Sequence, residues 1–148
     1  MINTDILYLR KFYDKTYIKK IDSTEFVINQ DIYELFDNYL LNQLTTLKGR
    51  LDAIKKVYHI NKNIPVFLDN NLVFIQTFNK KQHENIYINV HRIIDMIKDK
   101  ENTIIIFEDE TKLLVEKPLH IIKKYYNNSL KINLFKFRKG YENGKEKY

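Results

Sequence analysis

The chain has 148 residues, of which 44% are apolar and 30% charged, with a net charge of +6 and no Cys. This is the size of one domain with enough apolar material to form a core unaided by disulfides or metal. The lack of Cys excludes disulfides, thiol catalysis and Cys-based zinc sites. No apolar run approaches the ~20 residues that cross a bilayer, and the start, Met1 to Asp5, has no apolar signal segment. A soluble, cytoplasmic protein without a membrane partner is expected.

Tyr8–Phe12 and Thr16–Ile21 are rich in aromatic and β-branched residues around Asp14-Lys15 and read as a hairpin, with Glu25–Asn29 as a third strand. Asp31 is an expected N-cap, because Ile32, Leu35, Phe36, Tyr39 and Leu40 then recur at helical spacing. The helix continues, or restarts after a kink near Thr45-Thr46, through Leu47, Leu51, Ile54 and Tyr58. Gly49 inside it points to a close approach or a break. Ile64–Leu68 and Leu72–Ile75 read as strands around Asp69-Asn70-Asn71, whose residues tolerate the left-handed conformation. Residues 79–84 form a polar loop. The next strand, Ile86–Val90, is expected to run on with a bend to Ile97. Thr103–Phe107 and Lys112–Glu116 form a last hairpin. Pro118 opens a C-terminal helix with Leu119, Ile122, Tyr125 and Tyr126 on its apolar face. Hairpins in series predict an α+β fold with a largely antiparallel sheet, a central helical stretch and a C-terminal helix. The domain is expected over residues 1–128, with a basic, flexible tail over 129–148.

Charge is unevenly placed. Residues 112–148 hold ten Lys/Arg against three Asp/Glu, while residues 1–111 hold fifteen against sixteen. The stretch from Lys48 to Lys62 sets Lys48, Arg50, Lys55, Lys56 and Lys62 against Asp52 alone. Such concentrations suit a polyanion, although a solvated lysine-rich surface has the same composition. Further candidates are Lys80 and Lys81 in the polar loop, His91-Arg92, and Lys123 and Lys124 on the last helix. Most of the eleven Tyr and nine Phe fall on apolar positions and belong to a core rather than to base stacking. Catalysis is not expected. His59, His83, His91 and His120 lack metal-ligand spacing, there is no Gly-rich phosphate loop, and Glu110-Thr-Lys112 lies on a hairpin turn without a cleft. No cofactor is implied.

Gly49-Arg50, Ala53, Ile64-Pro65, Leu68-Asp69, Phe74 and Thr77 follow in the order and spacing of the ComK competence transcription factors. Ile86-Tyr87-Ile88 and the hairpin from Ile104 to Val115 continue the pattern, so the resemblance covers about residues 8–128. The family's Phe-Pro-Thr run is replaced here by Ile75-Gln76-Thr77, its Cys-x-Trp by Asn85-Ile86-Tyr87, and its Ser-rich stretch by Leu44–Lys48. The resemblance implies a transcriptional activator of DNA-uptake genes at the nucleoid. It would bind paired AT-rich boxes of double-stranded DNA as a homodimer or higher oligomer, largely through the minor groove, where Arg and Lys suit a narrow, negative channel. Arg50, in the Gly-Arg pair, is then the foremost contact, and its alternative is a structural arginine. The transcription machinery and a proteolytic adaptor are the implied protein partners, though the short, differently composed C-terminus does not carry the adaptor contact over. Val90-His91-Arg92 with the following hairpin and basic helix is also similar to the second half of LytTR DNA-binding domains. A degenerate member that acts only through protein contacts, and an RNA binder, complete the alternatives.

Overall fold

β1 (Ile6–Phe12) and β2 (Lys15–Lys20) pair antiparallel and close at Phe12↔Lys15. The two-residue turn between them puts Tyr13 at φ 56, the left-handed conformation that tight hairpins need. β3 (Glu25–Ile28) pairs with β2. The computed structural model from which these elements are read describes the backbone of residues 2–79 and 84–146 and the side chains of residues 2–78 and 84–132.

Asp31 caps α1 (Ile32–Leu40) as expected, its carboxylate accepting from the Tyr33 amide at 3.1 Å. The kink expected near Thr45-Thr46 is a complete break. A single 3-10 turn, Leu41–Gln43, ends on Leu44 at φ 58. α2 (Leu47–Tyr58) then restarts beneath Thr46, whose hydroxyl accepts from the Gly49 amide at 3.0 Å. Asp37 accepts from the Leu47 amide at 2.7 Å and so ties the start of α2 to α1.

β4 (Val66–Asp69), β5 (Leu72–Asn79) and β6 (Glu84–Asn89) form an antiparallel meander. The first of these strands, expected from Ile64, begins at Val66 because side chains take over the earlier backbone groups. Gln76 donates to the Ile64 carbonyl at 2.7 Å, and Asn63 donates to the Gln76 carbonyl at 3.0 Å. Asn70 and Asn71 make the expected turn without entering the left-handed region.

The strand expected to bend and continue to Ile97 is divided between two sheets. Buried Asn89 donates to the Ile6 carbonyl at 2.9 Å and accepts from the His91 amide at 3.2 Å, which winds Val90–Arg92 into a 3-10 turn. β7 (Ile93–Asp99), β8 (Asn102–Phe107) and β9 (Lys112–Val115) follow as a separate sheet. α3 (Leu119–Glu146) continues past Asn128, where a tail was expected to begin. Ser129 and Ile132 are buried, so the packed part of the chain extends at least to residue 132.

The fold is therefore α+β, with every strand pair antiparallel. The six-stranded sheet has the order β3-β2-β1-β6-β5-β4, two three-stranded meanders joined only where β1 meets β6. One of its faces packs against α1 and the start of α2 through Phe36, Leu40, Leu47, Phe74 and Tyr87. The other packs Val73, Ile75, Ile86 and Ile88 against Ile105, Phe107 and Leu113 of the three-stranded sheet and Ile122 and Ile132 of α3. Burying each such side chain contributes about 1.5–3 kcal/mol. Among the described residues, the large sheet is thus covered on both sides and the small sheet on one.

Candidate nucleic-acid interface

α2 turns Leu47 and Ile54 inward and leaves Lys48, Gly49, Asp52, Ala53, Lys55 and Lys56 exposed. Gly49 fits its place because a Cβ there would meet the Thr45 and Thr46 hydroxyl oxygens at 3.1 and 3.3 Å. Lys48 and Lys55 border a groove of about 720 Å³ floored by Leu51, Ile64 and Val66. Asp37 and Asp52 share that border, so its charge is mixed.

Arg50 does not lie with these lysines. Its guanidinium turns towards β4, donating to the Phe67 carbonyl at 3.0 Å and to Gln43 Oε1 at 2.5 Å, with its centre 5.9 Å from the Phe67 ring. Gln43 in turn donates to the Leu68 carbonyl at 2.7 Å. Burial pushes the Arg50 pKa down, opposed by the nearby Asp69 carboxylate. In this arrangement the guanidinium braces the break between α1 and α2 against the sheet.

Arg92 is engaged in the same way. It donates to the Thr4 carbonyl at 2.7 Å, pairs with Glu108, and lies 3.8 Å from Asp5. His91 stays neutral at pH 7, because desolvation lowers its pKa, helped by the Arg92 charge and opposed by a hydrogen bond with the Asn70 backbone. Lys80 and Lys81 lie outside the described residues.

Lys123 and Lys124 diverge on α3. Lys123 faces a groove beside Ile93, Asp95 and Met96 of β7. Lys124 faces a cleft of about 430 Å³ between α3 and the segment that leaves α2. His59 ends α2 at φ 57, and the chain from Asn61 to Asn63 then forms the opposite wall. Lys62, Lys124 and Lys131 line this cleft together with Asn61, Asn63 and Asn128, and among the described residues its lining contains no carboxylate. Tyr58 and Tyr125 complete it, both with pKa values raised by burial and hence neutral hydroxyls. Three ammonium groups and the amides of Asn61 and Asn128 around one concavity can hold phosphate oxygens through charge and hydrogen bonds together.

In the sequence, Lys62 is one member of a basic stretch and Lys131 falls in the expected tail. A signal was present: Lys124, Asn128 and Lys131 stand at i, i+4 and i+7, one face of a helix. Among the described residues, no cluster of three or more His, Cys, Asp or Glu could hold a metal, and no helix is long and apolar enough to cross a membrane.

The family model described as ComK protein matches residues 1–139. The chain belongs to the ComK family. The match takes in both sheets, both walls of the cleft and most of α3, and it reaches beyond the boundary at residue 128 suggested by the resemblance. ComK proteins are competence transcription factors rather than enzymes, which gives transcription regulation as the class of function. No curated protein and no solved structure matches the chain.

Proposed function

We propose that this ComK protein is a DNA-binding activator of competence genes, and that it holds the DNA backbone in the cleft of Lys62, Lys124 and Lys131. The three lysines on that cleft, with no carboxylate among the described residues that line it, carry the reading. Lys55 and Lys56 are exposed on the last turns of α2 and Lys48 on its first turn, with Lys48 and Lys55 on the mixed-charge groove, and these three are further proposed contacts along the helix. α2 is about 18 Å long at ~1.5 Å per residue, comparable with five or six phosphate steps of one strand at ~3.4 Å each. Lys80 and Lys81 remain proposed contacts from the sequence. Arg50, His91 and Arg92 serve the fold, and Lys123 faces a different groove. The resemblance further supports AT-rich boxes as the target, an oligomer as the binding species, and the nucleoid as the place of action.

Salt titrations of binding to an AT-box duplex, a GC-rich duplex and an RNA hairpin test this reading. Each neutralised phosphate contributes about −0.9 to the log–log slope on duplex DNA. The Lys62, Lys124 and Lys131 triple alanine variant is expected to flatten the slope by about 2.7 if each lysine meets one phosphate. Preference for the AT duplex together with that flattening supports the reading. Equal weak binding to all three nucleic acids, unchanged in the variant, overturns it.

A further inference from the structure

The outer face of the three-stranded sheet is a second surface with its own chemistry. In β8, Thr103, Ile105 and Phe107 point inward and are buried, so Ile104 and Ile106 point outward. In β9, Leu113 and Val115 are buried and Leu114 faces out, 49% exposed. Register aligns Ile97 with Ile104 and Ile104 with Leu114, and Ile97 is 43% exposed. One aliphatic row therefore crosses all three strands on the solvent side, with Ile106 beside it.

Its rim is charged. The row on one side is Asp95, Ile106 and Lys112, and the row on the other begins with Asp99 opposite Asn102. Residues 93–116 hold seven Asp/Glu against three Lys, a net −4, which leaves +10 on the rest of the chain. Aliphatic centres with polar rims are the anatomy of protein interfaces, and contiguous exposed apolar patches mark interaction sites.

We propose that this face docks a protein surface of aliphatic side chains fringed by Lys or Arg. The aliphatic row would take the apolar centre, and Asp95 and Asp99 would meet the fringe. Phosphates are repelled by that acidic rim, so nucleic acid is a poor occupant. Two copies stacked through this face would set like charges against one another, which disfavours symmetric self-pairing. The inference goes beyond the DNA reading and does not depend on it.

The test is methyl NMR on the full chain labelled at Ile and Leu, without DNA. A short peptide alternating Lys and Ile is the probe, with Lys–Ser and Glu–Ile peptides as controls. Saturable shifts are expected at Ile97, Ile104, Ile106 and Leu114 with the Lys–Ile peptide. Affinity for the Lys–Ser peptide should be about tenfold weaker or less, and the Glu–Ile peptide should not bind. Ile104→Lys, and separately Leu114→Ser, should abolish the shifts while leaving the remaining methyl spectrum unchanged. Shifts scattered over other surfaces, or equal response to all three peptides, overturn the proposal. Concentration-dependent shifts of the same methyls in the free protein also overturn it, because a second copy would then be the occupant.

Discussion

The six-stranded and three-stranded sheets are built from similar residues and end in different circumstances. In the large sheet both side-chain directions are covered, so Phe74 and Tyr87 pack on Phe36 with ring centroids 5.8 and 5.3 Å away, while Val73, Ile75, Ile86 and Ile88 fill the opposite side. In the small sheet one direction holds Ile105, Phe107, Leu113 and Val115 in the core, and the other leaves Ile97 and Leu114 exposed and Ile104 half-buried between them. Strand-forming side chains stabilise the first sheet twice over and the second only once. An aliphatic residue on the bare side contributes little to folding, so its chemistry is available for recognition.

Core truncation should show this difference most strongly. Phe74→Ala in the large sheet and Phe107→Ala on the inner side of the small sheet should each lose about 3–5 kcal/mol in urea unfolding. Leu114→Ala on the outer side, where the side chain is exposed, should stay within about 0.5 kcal/mol of the parent. A loss above about 2 kcal/mol for Leu114→Ala would mean that this side is packed after all.

Arg50 is expected to separate stability from charge. Arg50→Ala removes the donors to the Phe67 carbonyl and to Gln43, and should cost about 1–3 kcal/mol. It should leave the salt slope of DNA binding unchanged. A slope flattened by about 0.9 with unaltered stability would instead return Arg50 to the DNA contacts.

The two sheets should also respond to opposite ends of the pH range. In the large sheet, burial raises the phenol pKa values of Tyr17 and Tyr87, the first helped by Glu25 and the second by Tyr33. Their contribution is complete below the ordinary phenol pKa near 10 and is lost as pH rises beyond it, at up to about 1.4 kcal/mol per pH unit for buried Tyr87 and less for the half-buried Tyr17. Urea midpoints measured from pH 8 upward should fall, and less steeply in Tyr87→Phe. At the tip of the small sheet, Asp109 is raised by desolvation but lowered on balance by hydrogen bonds from Thr111 and the Asp22 backbone. Its contribution is present above the usual aspartate pKa near 3.8 and fades as pH falls through the lower folded value. This acid-side loss, the smallest effect of the series, should disappear in Asp109→Asn.

Hairpins, helix periods and the Asp31 cap were legible in the sequence because they depend on neighbours within a few residues. The exchange of sheets after Asn89 was not, since it rests on a bond from Asn89 to Ile6, 83 residues away. Arg50 shows a similar limit. Its spacing could be read, but whether its guanidinium met solvent or the Phe67 carbonyl depended on where β4 lay. The basic cleft was half legible. Lys62 and Lys124 come together only through tertiary packing, and Lys131 was hidden by treating a basic, Asn-rich segment as a tail although it keeps helical periodicity.

The seam between β1 and β6 bears on how the chain is made. Tyr8 pairs with Ile88 and Arg10 with Ile86, so the first meander leaves the ribosome long before its partner strand exists. Until then β1 is an open edge carrying Leu7, Tyr8 and Leu9, the kind of edge that recruits strands from other chains. Closing so distant a pair is slow compared with forming hairpins. Nascent chains stalled between β3 and β6 should therefore be the species most prone to aggregate, and the form most in need of a chaperone.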